Sequence, residues 1–330
     1  MENPKKITTI GGQALMEGIM MVGPKRTVAA FCDEEGNIST EEISVPRLTK
    51  QYPLLGKPFI RGIFALADSF RMGYKALSLS ADKLTEGDEE EELSGLDKWL
   101  NDHLGEKITG VIMAVASVLG IALAVVLFFM LPTVLFNLLE NAVPADIAGW
   151  RSIFEGVLRI GLFVGYVALI ALVPDIKRTF QYHGAEHKTI FCYEADLPLT
   201  VENVRKMTRL HPRCGTSFLL VVMVISILVF SVASSALLAI FPGLEAIRGT
   251  FGYRLLMIAF KLLLLPVVVG ITYEINRWCG RNDNAFTRAL SAPGMWMQHF
   301  TTNEPDDSMI EVGIAAVQAV LPEKEGSDRW

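Results

Sequence analysis

Hydrophobic positions are not spread evenly along this chain. Four stretches stay apolar for about twenty residues or more with few charges. They are ITGVIMAVASVLGIALAVVLFFMLPTVLF at 108–136, IFEGVLRIGLFVGYVALIALV at 153–173, TSFLLVVMVISILVFSVASSALLAIF at 216–241 and YRLLMIAFKLLLLPVVVGITY at 253–273. A helix rises about 1.5 Å per residue and the hydrocarbon core of a bilayer is about 30 Å thick, so each run is long enough to cross a membrane. The first has length to spare and is expected to tilt or to kink at Pro132. Charge enters the runs at Glu155 and Arg159, which share a helical face, and at Lys261.

The segments between the runs have a different periodicity. TVAAFCDEEGNISTEEISV at 27–45 alternates around a glycine-bearing turn and predicts a β-hairpin. PFIRGIFALADSFRMGYKALSLS at 58–80 has apolar positions at helical spacing with charges interleaved, which predicts an amphipathic helix lying on the bilayer or on the core. The acidic EGDEEEE at 86–92 reads as a solvated linker. NEPDDSMIEVGIAAVQAVLP places Pro305 and acids at a helix start and Pro322 at its stop, a helix of about four turns.

The fold class that follows is mainly α: a polytopic membrane protein of about four transmembrane helices with a small N-terminal region holding the hairpin. Residues 1–107 form the N-terminal cytosolic or interfacial region, 108–273 the membrane domain with a histidine-bearing connection at 174–215, and 274–330 a helical tail.

Composition agrees, with 51% hydrophobic residues and a mean hydropathy of +0.36. The net charge of −6 argues against nucleic acid as a partner, which needs a basic face. Cys32, Cys192, Cys214 and Cys279 fall at no disulfide-framework spacing, as in a reducing compartment. The opening residues lack the apolar core of a cleavable signal peptide. Lysine and arginine gather before the first run, within 174–215 and after the last run, which places those segments and both termini in the cytosol.

Chemistry concentrates in two short segments, YHGAEHKTIFCYE at 182–194 and HPRCGTSF at 211–218. His183 and His187 stand four apart, so a helix projects both imidazoles from one face at a separation one metal ion can bridge. With Glu186 they fit H-x-x-E-H, the inverted zincin arrangement of two metal-binding histidines and a general base. His211 and Cys214 add an H-x-x-C pair able to complete a tetrahedral set for a divalent ion, zinc by ligand type. Four protein ligands would make the site structural, whereas three with Glu186 as base would leave a position open for catalysis. Glu194 is a further ligand or a carboxylate orienting an imidazole. The alternative is that these histidines cap helices or meet lipid phosphates and that Cys214 is a small buried hydrophobe. A second segment, GGQALMEGIMMVGP at 11–24, would bring Gln13 and Glu17 to one face if helical; read as turns bounding a strand, its methionines fill a core.

These segments, with APGMWMQHFTTNEPDDSMIEVGIAA at 292–316, resemble the YqhQ-like family of bacterial membrane proteins, described as predicted metal-dependent enzymes. The matching motifs run from residue 11 to residue 316. Val22 departs from the family pattern, which tends to a basic residue there, and this weakens a phosphate-binding role for the first motif. The resemblance implies a multi-pass protein of the bacterial inner membrane with these motifs as its functional core, and it supplies no reaction. Three functions are open: a metal-dependent hydrolase of a membrane-associated substrate, a membrane scaffold or assembly factor stabilised by a structural metal or histidine network that meets a protein partner, and a transporter component. The last needs charge along several spans, and only Glu155, Arg159 and Lys261 supply it.

Overall fold

The structure, a computed structural model, describes residues 6–33, 35–85, 107–144, 147, 150–247, 250–282, 284–322 and 326–328. The acidic stretch 86–92 lies outside the described residues. The chain divides into two compact units, residues 82–166 and residues 1–81 with 167–330.

In the larger unit the N-terminal region is a four-stranded antiparallel meander, β1 (Gly11–Leu15), β2 (Gly18–Val22), β3 (Thr27–Cys32) and β4 (Ile38–Glu42), in the order β1-β2-β3-β4. β3 and β4 are the expected hairpin. Its turn is tied by Asp33, whose carboxylate accepts the Asn37 backbone N–H at 2.7 Å. GGQALMEGIMMVGP forms two strands and not a helix, with Gly12 opposite Met21. Gln13 and Glu17 are therefore not set four apart on one helical face. Glu17 closes the β1–β2 turn in the left-handed region, φ 52°, and its carboxylate is held by Arg178 and by the Tyr182 hydroxyl at 3.0 Å.

Alternation along the strands gives the sheet two apolar faces. Ile19, Met21, Val28 and Ala30 pack on one side against Tyr182, Ala185 and Ile190 of the histidine helix and against Met309, Val312 and Val317 near the C-terminus. Leu15, Met20, Ala29 and Phe31 pack on the other against Met72 and Ala76 of helix α1 (Ile60–Thr85). The sheet is thus covered on both faces by helices.

The smaller unit holds the first apolar run. Helix α2 (Lys107–Val125) passes through a π-helical turn, Val126–Met130, into α3 (Leu131–Ala142). The irregularity before Pro132 is this π-helical turn, and the candidate span on this helical run is Val118–Ala142. Helical backbone continues past Phe136 because Leu138 and Leu139 maintain both propensity and hydropathy. Pro132 has no N–H, so the carbonyl of Phe128 has no i+4 donor; the Nε of Arg159, in helix α4 (Arg151–Ile170), donates to it at 2.9 Å. Arg159 also pairs with Glu155 at 2.8 Å.

In the larger unit, helix α5 (Pro174–Glu194) carries HGAEH, and the short α6 (Val201–Arg205) follows, its first turn capped by Thr200. The apolar helices α7 (Gly215–Ile240) and α8 (Phe251–Arg281) pack together, α9 (Ala285–Thr301) packs on α7, and α10 (Asp307–Val320) lies on α5 and the sheet. α10 starts at the Asp306 cap and ends before Pro322, as its sequence predicts. Among the described residues, four helical stretches are long and apolar enough to cross a membrane: Val118–Ala142, Ile153–Ile170, Phe218–Ile240 and Phe251–Arg281.

Candidate functional site

The connection 174–215 is largely helix, and its central turns are buried: His183, Glu186, His187 and Lys188 all face the protein interior. An ammonium and a carboxyl in that interior need partners. Lys188 Nζ reaches Glu304 at 2.6 Å and donates to the Arg205 carbonyl at 3.0 Å. Gly184 is the reason α5 can lie this close to the 302–305 segment, because a Cβ there would collide with the Asn303 carbonyl.

His183 Nδ1 lies 2.7 Å from the Thr301 carbonyl, and His187 Nδ1 lies 2.6 Å from the Arg209 carbonyl. A carbonyl only accepts, so both Nδ1 atoms carry a proton, and Nε2 is the atom each ring can offer an ion once it is deprotonated. The Nε2 of His183 meets Cys214 Sγ at 3.2 Å, and one donor atom from each of His183, His187 and Cys214 falls within 4.8 Å of the others. This is the donor set and tautomer pattern of a soft transition-metal site. Cys214 caps α7, its sulfur accepting the Thr216 N–H at 3.4 Å.

The electrostatics agree with the geometry. Burial alone would push the Cys214 thiol up, but His183 and His187 overcome it and hold the thiol well below its ordinary range, which favours the thiolate. Burial would push the His183 imidazole down, yet the Cys214 charge keeps it above the usual range. Burial raises the Glu186 carboxyl, with the two imidazoles pulling the other way. Glu186 Oε1 accepts the Gly12 N–H at 3.0 Å, while its buried Oε2 has no hydrogen-bond partner among the described residues. Gly12 is required there, since a Cβ would lie 2.5 Å from the Met20 carbonyl and 3.1 Å from the Glu186 carboxyl carbon. Two imidazole nitrogens and a cysteine sulfur fit a divalent ion, with the Glu186 carboxyl close to both imidazoles and outside the converging set.

His211 does not join the three converging donors among the described residues. Its ring is 5.4 Å from that of His187, its Nδ1 accepts the Arg213 N–H at 3.3 Å, and its Nε2 faces Glu194 at 3.9 Å. Burial, with the charges of His187 and Arg213, holds this imidazole down at about 4 against the pull of Glu194. Glu194 is fully buried and ties three segments together: it accepts the Thr8 N–H at 2.8 Å, pairs with Arg213, and faces His211. Its carboxyl is held below the usual range, because Arg213, His211 and the Thr8 N–H outweigh burial. Gln13 and Glu17 stand apart from the cluster, the first against Gly73 and the second on Arg178.

The loop carrying His211 and Cys214 is held by Gln298, which sequence reasoning missed. Its Oε1 accepts the His211 N–H and its Nε2 donates to the His211 carbonyl, each at 2.7 Å. Gln298 lies inside the 292–316 motif, but no spacing relates it to residue 211. The backbone roles of Gly12, Arg209 and Thr301 are equally invisible in periodicity.

Fold and site together define a multi-helix protein with membrane-type spans and a buried His/His/Cys cluster. The family model described as "Protein of unknown function (DUF1385)" matches residues 57–323, and the chain belongs to that family. The match includes all three converging donors and Glu186. The chain is also 32% identical over 320 residues, 94% of its length and 92% of the relative's, to "Uncharacterized protein YqhQ" of Bacillus subtilis (strain 168). No solved structure matches.

Proposed function

We propose that this protein is a metal-dependent hydrolase of the bacterial cytoplasmic membrane, acting on a membrane-associated substrate. His183, His187 and Cys214 hold a divalent ion, zinc by ligand chemistry, and Glu186 is the general base. The observation that carries this reading is the pair of Nδ1 contacts to the Thr301 and Arg209 carbonyls, which hold both rings beside Cys214 and leave Nε2 as the atom each can offer an ion. When bound, the ion supplies Lewis-acid polarisation of a carbonyl or phosphoryl oxygen. Gly12 holds the Glu186 carboxyl by one oxygen and leaves the other to take a proton. Three protein ligands leave the fourth position open, as catalysis needs. The placement of both termini in the cytosol follows from the lysine and arginine bias, and Cys214 immediately precedes the span Phe218–Ile240, which puts the cluster at a membrane border.

A second reading, a scaffold with a structural metal, is favoured by one observation: the cluster's supports come from β1, the 206–214 loop and the end of α9, so it cross-links distant parts of the chain. Transport draws less support, because Glu155 and Arg159 satisfy each other and the Phe128 carbonyl.

Glu186→Gln separates the two. The hydrolase reading expects metal content and unfolding temperature to be retained while complementation of a chromosomal deletion is lost. Complementation by the variant at the wild-type level would leave only the scaffold.

A further inference from the structure

Helix α1 has two faces of opposite fate. Its inner face packs on the sheet: Met72 and Ala76 join the apolar cluster, Gly73 lies against the Gln13 side chain, and Ser80 donates to the Met16 carbonyl at 2.7 Å. Its outer face carries Phe70, Tyr74 and Leu77, spaced i, i+4, i+7 and exposed by 70%, 69% and 43%. A stripe of two aromatics and a leucine on an otherwise well-packed helix calls for an occupant.

The start of the helix says which. Phe59 and Gly62 pack directly on the apolar helix α8: the Phe59 carbonyl lies 2.9 Å from where a Gly270 Cβ would stand, Gly62 abuts Tyr273, and Arg61 forms a two-pronged pair with Glu274. α8 spans 31 residues, or about 46 Å at 1.5 Å per residue, which exceeds a hydrocarbon core of about 30 Å. Its apolar sequence ends at Tyr273 and gives way to Glu274, Asn276 and Arg277, so Gly270 to Glu274 mark the boundary of that core. α1 therefore begins at the bilayer boundary, with Phe59 and Ile60 exposed there by 57% and 42%. Arg71 and Lys75 flank the stripe on one side. Both are exposed; each donates to a backbone carbonyl of the 44–46 segment at 3.3 Å, and Arg71 also meets Asp68 at 3.5 Å, so the stripe is bordered there by cationic side chains anchored on the protein.

We propose that α1 is an interfacial helix, lying on an anionic lipid surface through Phe70, Tyr74 and Leu77 while its other face carries the sheet. The sheet supplies Gly12, which holds Glu186. The membrane surface thereby sets the layer that positions the carboxylate, whether or not a metal occupies the cluster.

The test uses the full chain in vesicles of phosphatidylethanolamine and phosphatidylglycerol. Nitroxides are placed by Phe70→Cys, Tyr74→Cys, Leu77→Cys and Lys75→Cys in a Cys32→Ser, Cys279→Ser background, and collision with oxygen is compared with collision with a water-soluble nickel chelate. Oxygen should prevail at positions 70, 74 and 77 and the chelate at 75. Chelate access at all four would show an aqueous face, and loss of access to both reagents at the stripe would show a protein partner or second copy; either result overturns the proposal. A label at Val232, 71% exposed on α7, reports the spans separately. Chelate access there would overturn the membrane reading itself, while oxygen access there with chelate access at the stripe would overturn the interfacial helix alone.

Discussion

His183 Nε2 stands 3.2 Å from Cys214 Sγ, while His183 Nδ1 gives its proton to the Thr301 carbonyl at 2.7 Å. Without an ion the His183 ring is favoured in its protonated form beside Cys214; a divalent ion would displace the proton between them and take two ligands whose positions the backbone already fixes. The protein purified in detergent without chelators is expected to carry about one zinc per chain, as a site of three protein ligands and one open position would. The His183→Ala, His187→Ala double variant and Cys214→Ser should each lose it. Elemental analysis of the three preparations decides, and full metal content in the double variant would remove the cluster from consideration.

Gln298 holds the same loop by its backbone. Gln298→Leu leaves the buried N–H of His211 without its partner, at about 1–3 kcal/mol, and leaves its carbonyl with only the Cys214 N–H at 3.3 Å. The expected result is a lower unfolding temperature together with metal affinity weakened by about 10–100-fold, the usual scale for a support behind the ligands. Competition with a chromophoric chelator measures the second effect. A variant that melts early but binds metal as tightly as the parent would limit Gln298 to a structural part.

His211 gives the fold an acid-sensitive range. Folded, the imidazole takes a proton only near about 4, whereas in the unfolded chain it does so near its ordinary value of 6.5. Between these values the unfolded chain binds more protons, so this contribution is whole above pH 6.5 and falls as the pH is lowered toward 4. The loss is on the order of 2–3 kcal/mol. His211→Asn should flatten the dependence of unfolding temperature on pH across that window. An unchanged slope would mean that other groups dominate.

Arg159 links a proline, a π-helical turn and a carboxylate in the smaller unit. Arg159→Leu leaves Glu155 charged and unpaired in a span and strips the Phe128 carbonyl of its donor, an expected cost of about 3–5 kcal/mol. Adding Glu155→Leu removes the orphaned charge and should recover part of the loss. Unfolding temperatures of the parent, the single variants and the double variant form the cycle, and additivity would show that the pair does not interact.

Much of the fold is present in local pattern. Span length, the Asn37 turn of the β3–β4 hairpin and the Asp306 and Pro322 limits of α10 are set by residues close in sequence, which is why periodicity and capping find them. His183 and His187 were legible as a pair for the same reason: a helix fixes the i, i+4 relation by itself.

The sequence by itself determined the apolar spans, the helical face that joins two imidazoles, and the Pro132 defect that leaves the Phe128 carbonyl in need of a donor. Tertiary structure alone decided which residues complete the cluster. It drew Cys214 in and turned His211 toward Glu194 and Arg213, although His-x-x-Cys spacing offers both equally. It also chose between the two readings of GGQALMEGIMMVGP, giving strands and not a helix, with Met20 and Met21 buried on opposite faces of the sheet. The reason is physical: a ligand's orientation is set by what its other atoms bond to. For these side chains the partners are Thr301, Arg209, Gln298 and Gly12, brought close only when α5, α9 and the sheet pack.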